Sequence, residues 1–176
     1  LGMQVIDADG KKHLMWFSQK TYPIRHERIR FSYAKCWPDK GNAKLDNGKH
    51  IQFYMDEQEA VQDCIALRGW VLCKGDYHFR YKKNIVLKPV DGGDNLLFEV
   101  QEDERPDVAN FFIEHHFLYQ TGFVCNIYRK QLQKGKEYEI FIRMSNHFDD
   151  SDAYEVDTGK RVREELTGKS QKTIRR

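Results

Sequence analysis

Apolar and polar residues alternate along much of this chain, with the period of two that is typical of strands packed on a core. Ile51, Phe53 and Met55, for example, are separated by Gln52 and Tyr54. Groups of glycine, aspartate, asparagine and proline, which favour turns, separate the alternating stretches. The pattern predicts strands over residues 13–17, 27–35, 51–55, 61–73, 81–89, 95–100, 121–128, 137–144 and 153–163, the last being either one strand or a hairpin.

The segments between these strands are predicted to be loops or turns. They include a polar lead-in over residues 1–12, a connection over 36–49, a short turn over 56–60 and a hairpin turn at 91–94. Residues 129–135 are predicted to form a turn or a short helical loop that ends at Gly135.

The apolar stretch from Cys64 to Cys73 is predicted to be the central strand. It contains Trp70 next to Gly69, and two interpretations of this pair are open. The favoured one places the indole in the core between two sheets, with the glycine making room for it or for a β-bulge. The other makes Trp70 a stacking platform for a sugar.

A single helical turn is predicted near residues 106–113. Pro106 suits the first position of a helix because no backbone N–H is needed there, and Asp107 favours the positive end. At helical spacing Val108, Phe111 and Phe112 fall on one face. We therefore expect this helix to cap one end of the strand assembly.

Many short strands with one apolar face each predict an all-β fold, a two-sheet antiparallel β-sandwich. The chain of 176 residues is long enough for one domain with extensions. We predict an N-terminal extension over residues 1–49 with one or two strands that can join the sandwich, the sandwich itself over 50–163, and a basic tail over 164–176.

Charge and cysteine usage narrow the function only slightly. The net charge is +2, so no overall field favours nucleic acid. The four cysteines form no CxxC pair, and we expect buried free thiols, which fits a reducing compartment on the cytoplasmic side or an anaerobic cell surface. No apolar run is long enough to span a bilayer.

Five short motifs follow one another between residues 50 and 144. They are Leu67-Arg68-Gly69-Trp70, Ile85-Val86-Leu87-Lys88, Arg105-Pro106-Asp107-Val108, Thr121-Gly122-Phe123, and Leu132 and Gly135 followed by Tyr138-Glu139-Ile140. In this order they resemble an accessory immunoglobulin-like β-sandwich module attached to bacterial proteins that build or decorate cell-surface polysaccharides and teichoic-acid-type polymers. The resemblance implies an immunoglobulin-like topology and a non-catalytic role.

Aromatic and basic residues beside predicted turns are the candidate ligand-binding residues, because such side chains offer area with a polar edge. Arg105 and Asp107 are candidates to grip a ligand, although the alternative is that the arginine pairs with a carboxylate and pins the turn. The full set of candidates is Tyr77, Phe79, Arg80, Tyr81, Phe117, Tyr119, Arg105 and Asp107.

No set of residues demands catalysis, a cofactor or a metal. Nucleotide-binding loops and a nucleophile elbow are not found in the sequence. Cys125 and the histidines at 115 and 116 form a conceivable nucleophilic pair, but the alternation around Cys125 predicts a core position. The candidates for a metal site are His115, His116, Asp149, Asp150 and Asp152.

Three functions from different classes remain open on the sequence. The first is a non-catalytic module that binds a surface glycan or positions a polysaccharide-building enzyme, with its site near residues 77–81 and 117–119. The second is a structural domain for docking or oligomerisation through exposed aromatic residues. The third is a small hydrolase or transferase, which requires a cleft with clustered carboxylates.

Overall fold

The computed structural model describes residues 2–6, 12–16, 33–61, 63–74, 81–112, 118–146 and 152–164. The chain divides into two compact units, residues 1–32 and 33–176. Of the predicted tail only Glu164 is described, and of the predicted strand over 27–35 only residues 33–35, which are not a strand.

The first unit contains an antiparallel hairpin of β1 (Gly2–Ile6) and β2 (Lys12–Trp16). Gly2 lies opposite Trp16, and Ile6 lies opposite Lys12. The strand predicted over residues 13–17 is therefore confirmed as β2. The loose lead-in predicted over 1–12 is wrong, because five of those residues form its partner strand.

The second unit contains one short helix, α1 (Pro106–Phe111), and ten strands among its described residues. The strands are β3 (Cys36–Pro38), β4 (Lys44–Leu45), β5 (Ile51–Val61), β6 (Cys64–Cys73), β7 (Tyr81–Pro89), β8 (Leu96–Glu99), β9 (Gln101–Asp103), β10 (Gly122–Tyr128), β11 (Glu137–Asn146) and β12 (Ala153–Arg163). Short 3₁₀ turns occupy Leu118–Thr121 and Arg129–Gln131.

These ten strands form two sheets. One has four strands in the order β5-β6-β10-β9, and the other has six in the order β3-β8-β7-β11-β12-β4. Every pairing is antiparallel except the short parallel contact of β4 with β12. The prediction of an all-β, two-sheet sandwich is confirmed, whereas the immunoglobulin-like topology stays a prediction.

Residues from both sheets share one hydrophobic core. Alternate positions of each strand point into it, as the period of two requires. The largest side chains with almost no exposure are Tyr138, Phe98, Phe123, Ile65, Leu67, Ile85, Leu87, Ile127, Ile140, Ile142, Met144 and Val71. The strand predicted over residues 81–89 is confirmed with its bounds, and β7 places Tyr81, Ile85 and Leu87 in the core.

The hairpin of β5 and β6 differs from the prediction. Residues 56–60 were expected to be a turn, but β5 continues through them to Val61. The central strand starts at Cys64 rather than Val61. The predicted turn was wrong because a bulge in β5 changes which side chains face the core, as described below.

The predicted connection over residues 36–49 is only partly a connection. Cys36–Pro38 pairs with β8 at one edge of the six-stranded sheet, and Lys44–Leu45 pairs with β12 at the opposite edge. Residues 33–49 therefore belong to the same unit as the sandwich. The chain between the two short strands passes over the outer face of the sheet.

A buried ion network holds this crossing segment. Arg143 lies between the core residues Ile142 and Met144, so its side chain is on the outer face. Its guanidinium donates two hydrogen bonds of 2.6 Å to the Asp39 carboxylate, and its Nε donates to Glu155 Oε1 over 2.7 Å. All three side chains are almost fully buried. The long-range arginine therefore positions the segment together with a local turn bond, in which the backbone N–H of Gly41 donates to Asp39 Oδ1 over 3.0 Å.

The four cysteines are free thiols, as expected. Cys64, Cys73 and Cys125 are buried, and Cys36 is half-buried. Among the described residues, no helix has the length and apolar character needed to cross a membrane.

Candidate functional site

Trp70 lies on the outer face of the four-stranded sheet and is half-buried. Ile65, Leu67 and Val71 of the same strand point into the core, so the residue before Val71 points the other way. The prediction that Trp70 lies between the two sheets is therefore wrong. Arg68, which shares the outer face and is exposed, was the signal in the sequence that this face meets water.

Gly69 allows the neighbouring strand to bulge. The register of β5 against β6 shifts between Met55 and Glu57, opposite this glycine. A Cβ atom on Gly69 would lie 3.2 Å from Met55 Cα and 3.0 Å from Phe123 Cζ, and closer still to the carbonyl oxygen of Tyr54. Only glycine fits this approach of the two backbones, which confirms the bulge interpretation of Gly69.

Four aromatic residues follow one another beside this bulge. Tyr54 lies directly opposite Trp70 on the adjacent strand and is 60% exposed. The ring of Phe112 meets the indole edge-on, with centroids 5.9 Å apart, and Phe111 meets Phe112 at 5.0 Å. Phe111 is 79% exposed. We call Tyr54, Trp70, Phe112 and Phe111 the aromatic row.

Helix α1 covers part of the outer face of the four-stranded sheet. Val108 of the helix is buried against Leu72. Leu72 lies two residues after Trp70 on the same face of β6 and is more deeply buried. The predicted helix is confirmed with Pro106 in its first turn. Two expectations were wrong: the helix lies on a sheet face rather than at an end of the sandwich, and Phe111 does not share the buried face with Val108.

Arg105 joins this surface through two carboxylates. Its Nε and Nη2 donate to the two oxygens of Asp107 over 2.8 and 2.7 Å, and its Nη1 donates to Asp56 Oδ2 in the bulge of β5. The arrangement matches the alternative in which the arginine pairs with a carboxylate and pins the turn. The guanidinium is therefore held in place next to the aromatic row.

The register of β6 and β10 places the side chain of Arg105 beside Trp70. Gly122 lies directly opposite Trp70, and a Cβ atom on Gly122 would lie 2.8 Å from Arg105 Cγ. Asp103 lies opposite Gly122 on the next strand and is exposed. Directly opposed residues of antiparallel strands project to the same side, so Asp103 lies on the outer face too.

Hydrogen bonds from Arg105 lower the pKa of Asp107 to about 2, against a smaller opposing effect of desolvation. The same bonds raise the pKa of Arg105. The Asp107 side chain remains 63% exposed. It is thus an ionised carboxylate that a ligand can reach at any ordinary pH.

Tyr81 and Asp152, two predicted site residues, are joined by a hydrogen bond. Tyr81, a predicted binding residue, is buried, and its hydroxyl donates to Asp152 Oδ2 over 3.0 Å. Asp152 Oδ2 also accepts a hydrogen bond from Asn146 Nδ2 over 3.2 Å. Tyr81 therefore lies in the core, and Asp152 is engaged by two side chains.

Lys83 lies two residues after Tyr81 in β7 and was not singled out from the sequence. Its side chain is only 2% exposed, points between the sheets, forms an ion pair of 3.1 Å with Glu102 and donates to the backbone oxygen of Gln120. Burial lowers the pKa of Lys83, although Glu102 opposes the shift. Lys83 links the two sheets. The alternation of β7 puts it in phase with Tyr81, Ile85 and Leu87, but a lysine by itself gives no sign of a core position.

Most of the other predicted site residues lie outside the described residues. Arg105, Asp107, Tyr81 and Asp152 are described, and Tyr119 is described only as part of a 3₁₀ turn. No group of three potential metal ligands occurs within the described ranges. The residues outside them are Tyr77, Phe79, Arg80, Phe117, His115, His116, Asp149 and Asp150.

Cys125 does not have the features of a nucleophile. It is fully buried in the core, its thiol lies 4.0 Å from the backbone oxygen of Glu99, and burial raises its pKa. A reactive cysteine needs a lowered pKa and access to substrate. Its expected core position is confirmed, and the aromatic row remains the surface best suited to bind a ligand.

Comparison of the chain with protein-family models, with curated protein sequences and with solved structures returned no match.

Proposed function

We propose that this protein is a non-catalytic module that binds a glycan through the aromatic row. The observation that carries the proposal is the pair of Tyr54 and Trp70, which lie side by side on an outer sheet face. Tyr54 is 60% exposed and Trp70 is half-buried, so both rings can be reached while one is held firmly by the fold.

The chemistry of the pair suits a sugar. The flat rings offer apolar area for the C–H face of a sugar ring, and the phenol and indole each add a polar edge. The pairing of β5 with β6 fixes the backbone positions from which the two rings project on the same face. Exposed carboxylates beside the row, such as Asp107, can accept hydrogen bonds from sugar hydroxyls.

The resemblance to accessory modules of bacterial polysaccharide and teichoic-acid-type biosynthesis proteins points the same way. Two residues of its Arg-Pro-Asp-Val motif, Arg105 and Asp107, lie beside the aromatic row. In this proposal the module holds a surface glycan near a neighbouring polysaccharide-building enzyme. It supplies position and affinity, and the neighbouring enzyme supplies the reaction.

A glycan array tests the proposal. The wild-type protein is expected to retain a defined set of glycans, and Tyr54→Ala to weaken their binding at least about tenfold, equivalent to about 1.4 kcal/mol. Trp37→Ala is the matched control, because this indole is also exposed, at 44%, but belongs to β3 of the other sheet.

Equal loss in Tyr54→Ala and Trp37→Ala would place the ligand elsewhere on the protein. Failure of the wild type to retain any glycan would overturn the proposed function.

Docking to a protein is the second candidate function, and the exposure of Phe111 favours it. This side chain is 79% exposed and purely apolar, without the polar edge that helps an aromatic ring bind sugars. If the row docks onto a second copy, light scattering should show a dimer that Phe111→Ser converts to a monomer. A concentration-independent monomer would exclude self-association.

A further inference from the structure

The aromatic row is surrounded by an excess of negative charge. Three carboxylates, Asp56, Asp103 and Asp107, lie on or beside the outer face near Trp70, and one guanidinium, Arg105, lies among them. The neighbouring pair of Arg68 and Glu57, 3.5 Å apart, is balanced and does not change the sum. One further cation, Lys160, lies beside the bulge, with its Nζ 3.5 Å from the backbone oxygen of Met55. The formal charge next to the row is therefore −1.

The positive charge of Arg105 is already paired with carboxylates of the protein. Three of its N–H groups donate to Asp107 and Asp56, and its side chain is only 20% exposed. Asp103, in contrast, forms no ion pair or hydrogen bond through its carboxylate among the described residues, and it is exposed. A ligand that approaches the row thus meets one unengaged carboxylate, that of Asp103, while the guanidinium of Arg105 is already paired.

Aromatic faces and carboxylates attract the same kind of charge. The π face of an aromatic ring is negative, so an ammonium group gains energy above tryptophan or tyrosine, and more when water is excluded. A carboxylate at the edge of the rings adds Coulomb attraction. The same environment repels phosphate and carboxylate groups of an anionic polymer.

We propose that the ligand of the aromatic row is a glycan that carries ammonium groups, such as an amino sugar with a free amine. This inference rests on the proposed function and adds the charge class of the ligand to it. The ammonium lies above the exposed rings of Tyr54 and Trp70, and Asp103 and Asp107 compensate its charge.

Two oligosaccharides of the same length test the inference: a β-1,4-linked glucosamine tetramer and its fully N-acetylated counterpart. They share one backbone and differ in whether the nitrogen carries a charge. At about pH 6, where an amine of ordinary pKa is protonated, calorimetry should show that the glucosamine tetramer binds about tenfold more tightly.

A pair of variants tests whether the preference depends on charge beside the aromatic row or on the net charge of the protein. Asp103→Asn should lower the preference for the glucosamine tetramer, measured as the ratio of the two affinities, about threefold or more. Asp91→Asn is the matched control, because this exposed aspartate lies in the turn after β7 and the substitution changes the net charge equally. It should leave the preference intact.

The outcomes distinguish the two proposals. Equal or tighter binding of the N-acetylated tetramer overturns the charge inference and leaves the proposed glycan binding in place. If an array retains only neutral or anionic glycans, the charge inference is likewise overturned and the proposed glycan binding stands. If no glycan of any charge binds, both proposals fall.

Discussion

Replacing Gly69 with alanine tests the geometry that aligns the aromatic row. The added Cβ would lie 3.0 Å from Phe123 Cζ and 3.2 Å from Met55 Cα, and nearer still to the carbonyl oxygen of Tyr54. Two of these three atoms belong to the backbone of β5, so a change of rotamer cannot relieve the clash. The two strands must move apart or the bulge must be lost.

The cost follows from this geometry. Overpacking a well-packed site costs about 1–3 kcal/mol, and a clash with backbone belongs at the upper end. Alanine recovers about 0.4–1 kcal/mol by restricting the unfolded chain. We therefore expect Gly69→Ala to destabilise the protein by about 2–3 kcal/mol.

Urea unfolding followed by tryptophan fluorescence measures this effect, with Gly92→Ala as the matched control. Gly92 has φ +80° and no atom within 4 Å of an added Cβ, so its substitution meets backbone strain alone, of about 1–2 kcal/mol. A loss at Gly69 that does not exceed the loss at Gly92, or that stays below about 1 kcal/mol, would refute the close approach of the strands at this glycine.

Three further predictions concern Trp70, Arg143 and Asp107. Trp70→Ala should cost about 2 kcal/mol in urea unfolding, below the ~3–5 kcal/mol for a fully buried aromatic, and a loss above about 4 kcal/mol would contradict the half-buried position. Arg143→Met should cost about 3–5 kcal/mol at neutral pH because the buried Asp39 carboxylate loses its ionic partner, while Glu155 retains Lys88. Burial acts to raise the pKa of Asp39, but hydrogen bonds from Arg143 and a backbone amide lower it overall. The stability from this pair is thus present above the ordinary pKa of about 3.9 and is lost in acid, so the difference between wild type and variant should narrow below about pH 4 in thermal unfolding. The Asp107 carboxyl should titrate near pH 2 in an NMR experiment, and its stabilising bond to Arg105 should be lost as the pH falls from about 4 towards that value; a midpoint near 4 would contradict the ion pair.

The alternation of side chains predicted the sheets because a strand on a core leaves a local signal. β7 is an example, since its apolar core positions and its terminal proline are visible within nine residues. The short helix was predictable for the same reason, because Pro106 and Asp107 mark its start locally. The sequence thus predicted correctly the features that depend on residues close together in the chain.

The position of Trp70 was predicted wrongly because both faces of β6 are partly covered and Arg68 is the only charged residue that marks the outer one. Leu72 is buried under α1 on the outer face, while Val71 is buried in the core on the inner face. Consecutive apolar residues then hide the phase of the alternation. Which face the indole occupies depends on the helix at residues 106–111, whose docking is a long-range event.

The bulge in β5 explains both the failed turn prediction and the charge of the candidate site. In strict alternation Glu57 would be in phase with Met55 and would point into the core, so residues 56–60 read as a turn. The extra residue inverts the phase: Glu57 lies opposite the outward-facing Arg68, and Gln58 reaches the backbone of β12 in the other sheet.

The inverted phase changes which side chains of β5 lie on the outer face. A bulge leaves one residue of the bulged strand unpaired and re-aims its side chain. Here that residue is Asp56, which binds Arg105, and the next residue, Glu57, also lies on the outer side. Two successive carboxylates therefore face the surface that carries Tyr54 and Trp70. Because the bulge requires Gly69, one glycine fixes the alignment of the aromatic row and the acidity of its border together.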